Sequence, residues 1–396
     1  MAVYLAALAW FILGNFRKGP PRSDQQPTVS VILAARGACR WLPRLVDQLG
    51  DQDYPAEKLQ IVLVDDGLDS GMKREMEGRA GRYPNLLIVT SATGDQRLDH
   101  KNRALDAGIR KSAGTVLMFT DADCQVGSRW VSSMASHFTA QIDYVVGWSQ
   151  IATATATAAA VGAPGSDATP QPESPLQLFE AVDFMVLMLA AKGAVRMGTP
   201  WASSGQNQAY RRSLFDLVGG FEEIIGRLQG DDALFLQIAR RHGAARVVFA
   251  DDPAVMVRTE PSDSLSHFLR QRFRWAADAL AMVVYNPWFF PLPVATFLVN
   301  ALIVVMTILS LPYPDLWLTP LILSLLAKAA FEWALVALGA RRMKLGHLGR
   351  HYPQWFALQI PYVTLIGIMS FFGNRLSWKD RAAEPKANAS GKAEHV

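Results

Sequence analysis

Cysteine is nearly absent: Cys39 and Cys124 are the only two in 396 residues. Two isolated thiols form no metal-ligand or redox spacing, so both read as small buried side chains. A strong charge of either sign is also missing, the net value being +4. No zinc-finger or helix-turn-helix pattern occurs, and the basic residues gather beside apolar segments. That distribution argues against a nucleic-acid partner and for membrane lipids with anionic headgroups. The apolar stretch Ala2–Phe16 has no basic segment before it and no small-residue cleavage site after it. It therefore reads as a short membrane anchor, or a helix lying along the interface, and not as a removed signal peptide.

What is present in quantity is apolar surface. Half of the residues are hydrophobic, and the length suits two or three structural units. Trp288–Leu311, Trp317–Gly339 and Gln354–Gly373 are each near the ~20 residues that a spanning helix needs. Only short polar connections separate them, which disfavours buried core helices. The division expected is an N-terminal anchor at 1–19, a cytoplasmic catalytic domain at 20–286, transmembrane helices at 287–373 and a polar tail at 374–396.

Arg17, Lys18 and Arg22 follow the first apolar stretch, and Arg341, Arg342, Lys344 and Arg350 lie between the last two. Positive loops stay inside, so an integral protein of the inner or plasma membrane with a cytoplasmic catalytic domain is expected. Three full spans would leave the tail outside, whereas Arg375, Lys379, Arg381 and Lys386 draw it inside. Gln354–Gly373, broken by Pro361, and Trp288–Leu311, opened by Pro291 and Pro293, are therefore candidates for an interfacial or re-entrant helix. Lys328 and Glu332 are four apart and share a helix face. A structural pair and a functional intramembrane pair fit them equally.

Between the apolar ends, strand-like and helix-like segments alternate. Val29–Leu33, Ile61–Val64, Leu86–Val89 and Val116–Phe119 read as short apolar strands. Leu42, Leu45, Val46 and Leu49 mark one helix, and His100–Lys111 another. This predicts an α/β fold with a mostly parallel, Rossmann-like sheet covered on both faces. Ligands in such sheets bind at the carboxyl ends of the strands. Asp65-Asp66 and Asp121-x-Asp123 both fall there. About 151–174, an Ala-, Thr-, Pro- and Gly-rich segment reads as a flexible insertion. Phe179–Met197 fits a core helix and a membrane-surface helix equally.

Two carboxylates at the end of a buried strand repel each other and resist desolvation. A hard divalent cation, Mg²⁺ or Mn²⁺, would relieve both costs at Asp121 and Asp123, with substrate phosphate completing its shell. Lys101, at the start of a helix, suits a phosphate as a point charge. In Gly230-Asp231-Asp232, Asp231 reads as a helix cap and Asp232 as a general base in the first turn. Gln271 and Trp275 share a helix face, with Arg274 beside them to clamp a phosphate.

In order, "VSVILAARG", "DQDYP", "VDDGLDSG", "KNRALDAG", "TDADC", "GQNQAYRRSLFDLVGGF", "GDDALFLQ" and "QRFRW" resemble the membrane-bound inverting glycosyltransferases of family 2. That group includes ceramide glucosyltransferase-like enzymes and the cellulose, chitin and hyaluronan synthases. The resemblance covers about Pro27–Leu280, and "NRLSWKDR" is similar to the group's tail. It implies a GT-A fold, a UDP-sugar donor and hexosyl transfer to a lipid or glycan acceptor. Asp65 and Asp66 match the nucleobase and ribose position, and Lys101 a donor contact. Asp121 and Asp123 match the metal–diphosphate motif, with Asp121 also facing the nucleotide sugar. Asp232 matches the catalytic base, and Gln271, Arg274 and Trp275 the Gln-x-x-Arg-Trp motif. The chain departs from the group at Arg36-Gly37-Ala38, where Arg-Asn-Glu is common. It also departs after Gly67, where Ser-Thr is missing, and at "GDD", where Thr-Glu-Asp is common. A lipid-directed transferase is the expectation. A processive polysaccharide synthase and a non-catalytic nucleotide-sugar-binding membrane protein are its alternatives.

Overall fold

The computed structural model describes residues 1–37, 39–153, 173–227 and 230–372. Among them the strands are β1 Val29–Gly37, β2 Leu59–Leu68, β3 Leu86–Thr90, β4 Val116–Phe119, β5 Cys124–Gln125, β6 Tyr144–Gly147, β7 Ser149–Ile151, β8 Gln208–Arg211, β9 Val247–Ala250 and β10 Val257–Thr259. The main sheet has the order β3-β2-β1-β4-β8-β6-β9, and a smaller one the order β5-β10-β7. β1 to β4 pair in parallel, β8 runs antiparallel to both its neighbours, and β6 and β9 are again parallel. The mostly parallel sheet read from the sequence is therefore present, with β8 as its reversed member.

All four apolar runs read from the sequence are strands. β2 does not end at Asp65 as its apolar run suggests, but continues through the acidic pair to Leu68. Val62, Leu63 and Val64 have no exposed surface, as expected of strands covered on both faces. The order 3-2-1-4 reverses its winding between β1 and β4, the place where open sheets form a ligand crevice. Register places the acids on one edge. Ala35 lies opposite Asp65, and Ile32 opposite Phe119. Asp121, two residues beyond Phe119, thus stands level with Val64, one residue before Asp65. β1 separates the two strands, a spacing of about 10 Å at roughly 4.8 Å per strand step.

The helix Pro175–Arg196 opens on a capping box formed by Ser174 and Gln177. It buries Val182, Met185 and Leu189 among others and packs against the helices Ala2–Phe16 and Pro314–Arg342 and against β7 and β9. The core-helix reading of Phe179–Met197 is the one realised. Its crossing with the N-terminal helix requires glycine, because a Cβ on Gly14 would lie 2.2 Å from the Gly193 carbonyl oxygen. The expected insertion at 151–174 is shorter at both ends. Ile151 belongs to β7, paired with Thr259, and Ser174 is the helix cap. Residues 154–172 lie outside the described residues, as does the tail from 373.

Two of the described helices, Pro291–Leu309 and Pro314–Arg342, are long and apolar enough to cross a membrane. Only 22% and 28% of their most apolar windows are buried within the protein. Leu298, Leu302, Leu323 and Leu326 face outward, leaving broad apolar faces of a kind soluble surfaces rarely expose. The prolines suspected of breaking the spans do not. Pro291 occupies the first turn of its helix, where its missing N–H costs nothing. Pro361 sits within a continuous helix, Tyr352–Phe372.

Lys328 is fully buried. Its ammonium donates to Glu332 at 2.7 and 2.8 Å and to Gln359 at 2.6 Å, and the Tyr4 hydroxyl donates to Glu332. The N-terminal helix is thereby tied to two C-terminal ones. Removing one member strands a buried charge, at about 3–5 kcal/mol, whereas replacing both is far milder. Lys328→Met is expected to lower the unfolding midpoint in detergent steeply. The double variant Lys328→Met/Glu332→Leu is expected to recover most of the loss, which a thermal melt will show.

Candidate active site

The helix His100–Lys111 begins with a left-handed residue, His100 at φ 37°. Strain of this kind persists where the surroundings enforce it. The next residue, Lys101, places its ammonium 2.8 Å from Asp121 and 3.2 Å from Asp231. Asp121 follows β4. Asp231 and Asp232 precede the helix Ala233–Gly243. Three segments distant in sequence meet at the carboxyl edge of the sheet.

Asp232 is the cap of its helix. Its Oδ1 accepts from the Ala233 amide at 2.6 Å and its Oδ2 from the Gly205 amide at 3.3 Å. This corrects the sequence reading, in which Asp231 was the cap. Asp231 is buried and turned to Lys101, and its backbone carbonyl accepts from Gln208 Nε2 at 2.8 Å. Gly205 makes the approach possible, since a Cβ there would lie 3.0 Å from Asp231 Oδ2 and 3.1 Å from Lys101 Nζ. Sequence reasoning missed Asp231, Gly205 and Gln208 as parts of this arrangement. The signal was available in the doubled acid and in "GQNQAYRR".

Four carboxylates face one ammonium here. Burial and then repulsion from Asp121 push Asp123 up to about 6. Burial and then repulsion from Asp231 push Asp232 up to about 7, with Lys101 and two backbone amides acting the other way. Burial works against the Lys101 charge, but Asp121 and Asp231 outweigh it and hold the ammonium well above the lysine range. An excess of oxygen ligands under mutual repulsion is the donor chemistry that suits a hard divalent cation. Among the described residues, no three acidic, histidine or cysteine side chains converge to enclose a metal. The residues that would hold such an ion are Asp121 and Asp123, with phosphate oxygens and water completing its shell.

Asp65 is committed to its own turn. It accepts from Gly67 and Leu68 amides at 2.9 and 2.8 Å and pairs with Lys73 at 3.2 Å. Burial would raise its pKa, but these partners prevail and hold it below the usual range. Asp66 makes no hydrogen bond or ion pair among the described residues, so its carboxylate is the free one of the two. The helix Leu265–Tyr285 carries Gln271, Arg274 and Trp275. Trp275 packs on Phe184 with ring centroids 6.0 Å apart, under the Arg272 guanidinium at 4.2 Å. Arg272 pairs with Asp183 at 3.1 Å. Arg274 is exposed, and among the described residues no hydrogen bond or ion pair joins the three to the acidic cluster. The structure thus brings Lys101, Asp121, Asp123, Asp231 and Asp232 together, with no hydrogen bond or ion pair to Gln271, Arg274 or Trp275 among the described residues. Both cysteines are free of disulfides; Cys124 is buried, as read, whereas Cys39 is only half-buried.

The raised carboxyls carry a stability consequence. A group held at about 7 instead of its ordinary 3.8 favours the fold fully below 3.8, and that contribution is lost as pH rises through 7. Asp232→Asn removes the loss and keeps a capping side chain. The ligand-free variant is expected to match wild type near pH 4 and to melt higher at pH 8, by about 2–4 °C per kcal/mol regained. Differential scanning fluorimetry at the two pH values checks this.

The chain matches the family model for glycosyl transferase family 2 over residues 30–159, and that for glycosyl transferase family group 2 over 176–339. The glycosyltransferase AglE of Haloferax volcanii is 28% identical over 105 residues, covering 26% of this chain and 33% of that one. An N-acetylglucosaminyltransferase of Rhizobium sp. is 27% identical over 272 residues, covering 64% of this chain and 53% of that one. The chain thus spans about half, or less, of these relatives. A mannosyltransferase of Pyrobaculum calidifontis, solved with GDP-Man and Mn²⁺, superposes with a TM-score of 0.53. The two are 19% identical, with 93% of this chain and 96% of that one covered. That likeness shows the fold, a GT-A-like α/β domain.

Proposed function

We propose that this chain, which carries glycosyltransferase family 2 domains across residues 30–159 and 176–339, is a membrane-embedded inverting hexosyltransferase. It moves a sugar from a UDP-sugar to a lipid or lipid-linked acceptor at the cytoplasmic face. The observation that carries this reading is the meeting of Lys101, Asp121, Asp231 and Asp232 at the edge of the sheet.

Asp66 takes the ribose and nucleobase, with Asp65 shaping the turn that presents it. Lys101 holds a donor phosphate. Asp121 and Asp123 would hold a Mg²⁺ or Mn²⁺ ion, which when bound neutralises charge on the departing diphosphate as a Lewis acid. Asp232 accepts the proton of the acceptor hydroxyl. The freed oxygen bonds to the anomeric carbon as the nucleoside diphosphate leaves from the opposite side. One displacement of this kind inverts the centre. A base with a pKa near 7 is well matched to this task at neutral pH. Arg274, exposed and unpaired among the described residues, is available to phosphate. Trp275, held between Phe184 and Arg272, fixes the helix that carries it.

The outward apolar faces of Pro291–Leu309 and Pro314–Arg342 support a place in the bilayer, and the basic residues around them support an inner or plasma membrane orientation with the sheet inside. A processive synthase is favoured by the Gln-x-x-Arg-Trp motif but opposed by the small number of candidate spans, since an export channel needs a larger bundle. A silent binder is opposed by the intact acids and Lys101. The test is turnover of UDP-glucose, UDP-galactose, UDP-N-acetylglucosamine and GDP-mannose with Mn²⁺ in native lipid extract, with products sized by mass spectrometry. A single glycosylated lipid is expected. A lengthening polymer would replace this reading with the synthase, and no nucleotide release from any donor would refute both.

A further inference from the structure

The end of β9 collects positive charge without need of it. Asp251 forms ion pairs with Lys192 at 2.8 Å, Arg196 at 3.2 Å and Arg342 at 3.0 Å. Beside it Asp252 pairs with Arg22 at 3.1 Å. Four cations against two carboxylates leave an excess of two positive charges. The Lys192 and Arg196 side chains are only 1% and 6% exposed, and burying like charges together is costly.

The local donors are not exhausted. Arg196 leaves Nε and Nη1 buried without hydrogen-bond partners. His137, 4% exposed, has no partner for either ring nitrogen. Idle buried donors of this kind call for an acceptor.

Arg342 links this cluster to a cavity of about 310 Å³. The cavity lies where the helices Ala2–Phe16 and Pro314–Arg342 both end, and is lined by Asn15, Phe16, Leu338, Arg341 and Arg342. Its lining is therefore divided between an apolar pair, Phe16 and Leu338, and two guanidiniums. Arg341 has no acidic partner among the described residues. A basic last turn is ordinary at a helix end, which accounts for one arginine there. It does not account for two further buried cations behind it, one with idle donors, or for the cavity in front.

We propose that this cavity binds the phosphate of an anionic phospholipid, with Arg341 and Arg342 on the phosphate and the first acyl carbons along Leu338 and Phe16. Guanidinium forks suit phosphate oxygens, and basic pockets between helices on the cytoplasmic side are where such headgroups dock. The site is separate from the acidic cluster and rests on the reading that Pro314–Arg342 lies in the bilayer.

The test uses the full chain in a neutral detergent and does not depend on sugar transfer. Phosphatidylglycerol, phosphatidylcholine and inorganic phosphate are titrated separately while thermal unfolding is followed. Phosphatidylglycerol is expected to raise the midpoint by roughly 3–6 °C, phosphatidylcholine and inorganic phosphate to have no effect, and Arg341→Gln to remove the gain. Arg341 is exposed, so that variant is expected to fold, and its melt without lipid verifies this. An equal gain from inorganic phosphate would make the site one for free phosphate and overturn the lipid source. An undiminished gain in Arg341→Gln, or no gain in wild type, would overturn the site. A chain that stays dispersed without detergent would instead refute the bilayer reading, and active transfer without a lipid shift would refute this site alone.

Discussion

Asp232→Asn is expected to lower kcat by about 10²–10⁴-fold, the usual worth of a general base, with little change in donor KM. The substitution is nearly isosteric. Asn caps a helix about as well as Asp, so the Ala233 amide keeps its partner, while the weaker 3.3 Å bond from the Gly205 amide is lost. What is lost is the capacity to take a proton. In wild type, activity should rise with pH through about 7, where Asp232 gives up its own proton. Asp231→Asn supplies the complementary measurement. It removes the repulsion that helps hold the Asp232 proton, so the rising limb should move to lower pH, with activity reduced but retained. A rate profile across pH 5–9 for the three proteins separates these effects. Full turnover in Asp232→Asn would remove the base from this residue.

The second large effect concerns the metal. Asp121→Ala is expected to weaken Mn²⁺-dependent donor binding by more than the about 10–100-fold that outer-shell partners alone cost. Asp123→Ala should do the same. The two are not equivalent in the free protein. Asp121 is paired with Lys101 at 2.8 Å, so its loss also unbalances the ammonium. Asp123 is exposed but stands beside a like charge and is held up to about 6, so its loss relieves repulsion. Asp123→Ala is therefore expected to melt higher than Asp121→Ala without metal, while both fail with it. Isothermal titration of the nucleoside diphosphate with and without Mn²⁺ reads the binding. Unchanged metal dependence in both variants would place the ion elsewhere.

The parts of this fold that follow from local pattern were legible in the sequence. The runs at Val29, Ile61 and Val116 are strands because apolar residues covered on both faces leave little other choice, and the run at Leu86 is the edge strand beside them, with Leu87 exposed. His100–Lys111 is a helix with the bounds its pattern predicts. β6, β8 and β9 were not read from the sequence, and β8 begins and ends on polar side chains. The acids at the sheet edge were legible because strand topology places them. The division of labour between Asp231 and Asp232 was not, because either can cap a helix and only the Gly205 and Lys101 contacts distinguish them. Trp275 shares a helix face with Gln271 by spacing, but its ring packs on Phe184 and lies under Arg272. A spacing on one helix cannot reveal what the neighbouring helix presents to it.

The central claim is that this acidic edge performs one in-line displacement with Asp232 as base. Its most direct test is the anomeric configuration of the product, read by proton NMR at early times from an α-linked nucleotide sugar. The account predicts a β-linked product from the first turnover. An α-linked product would contradict it, since retention cannot arise from one displacement.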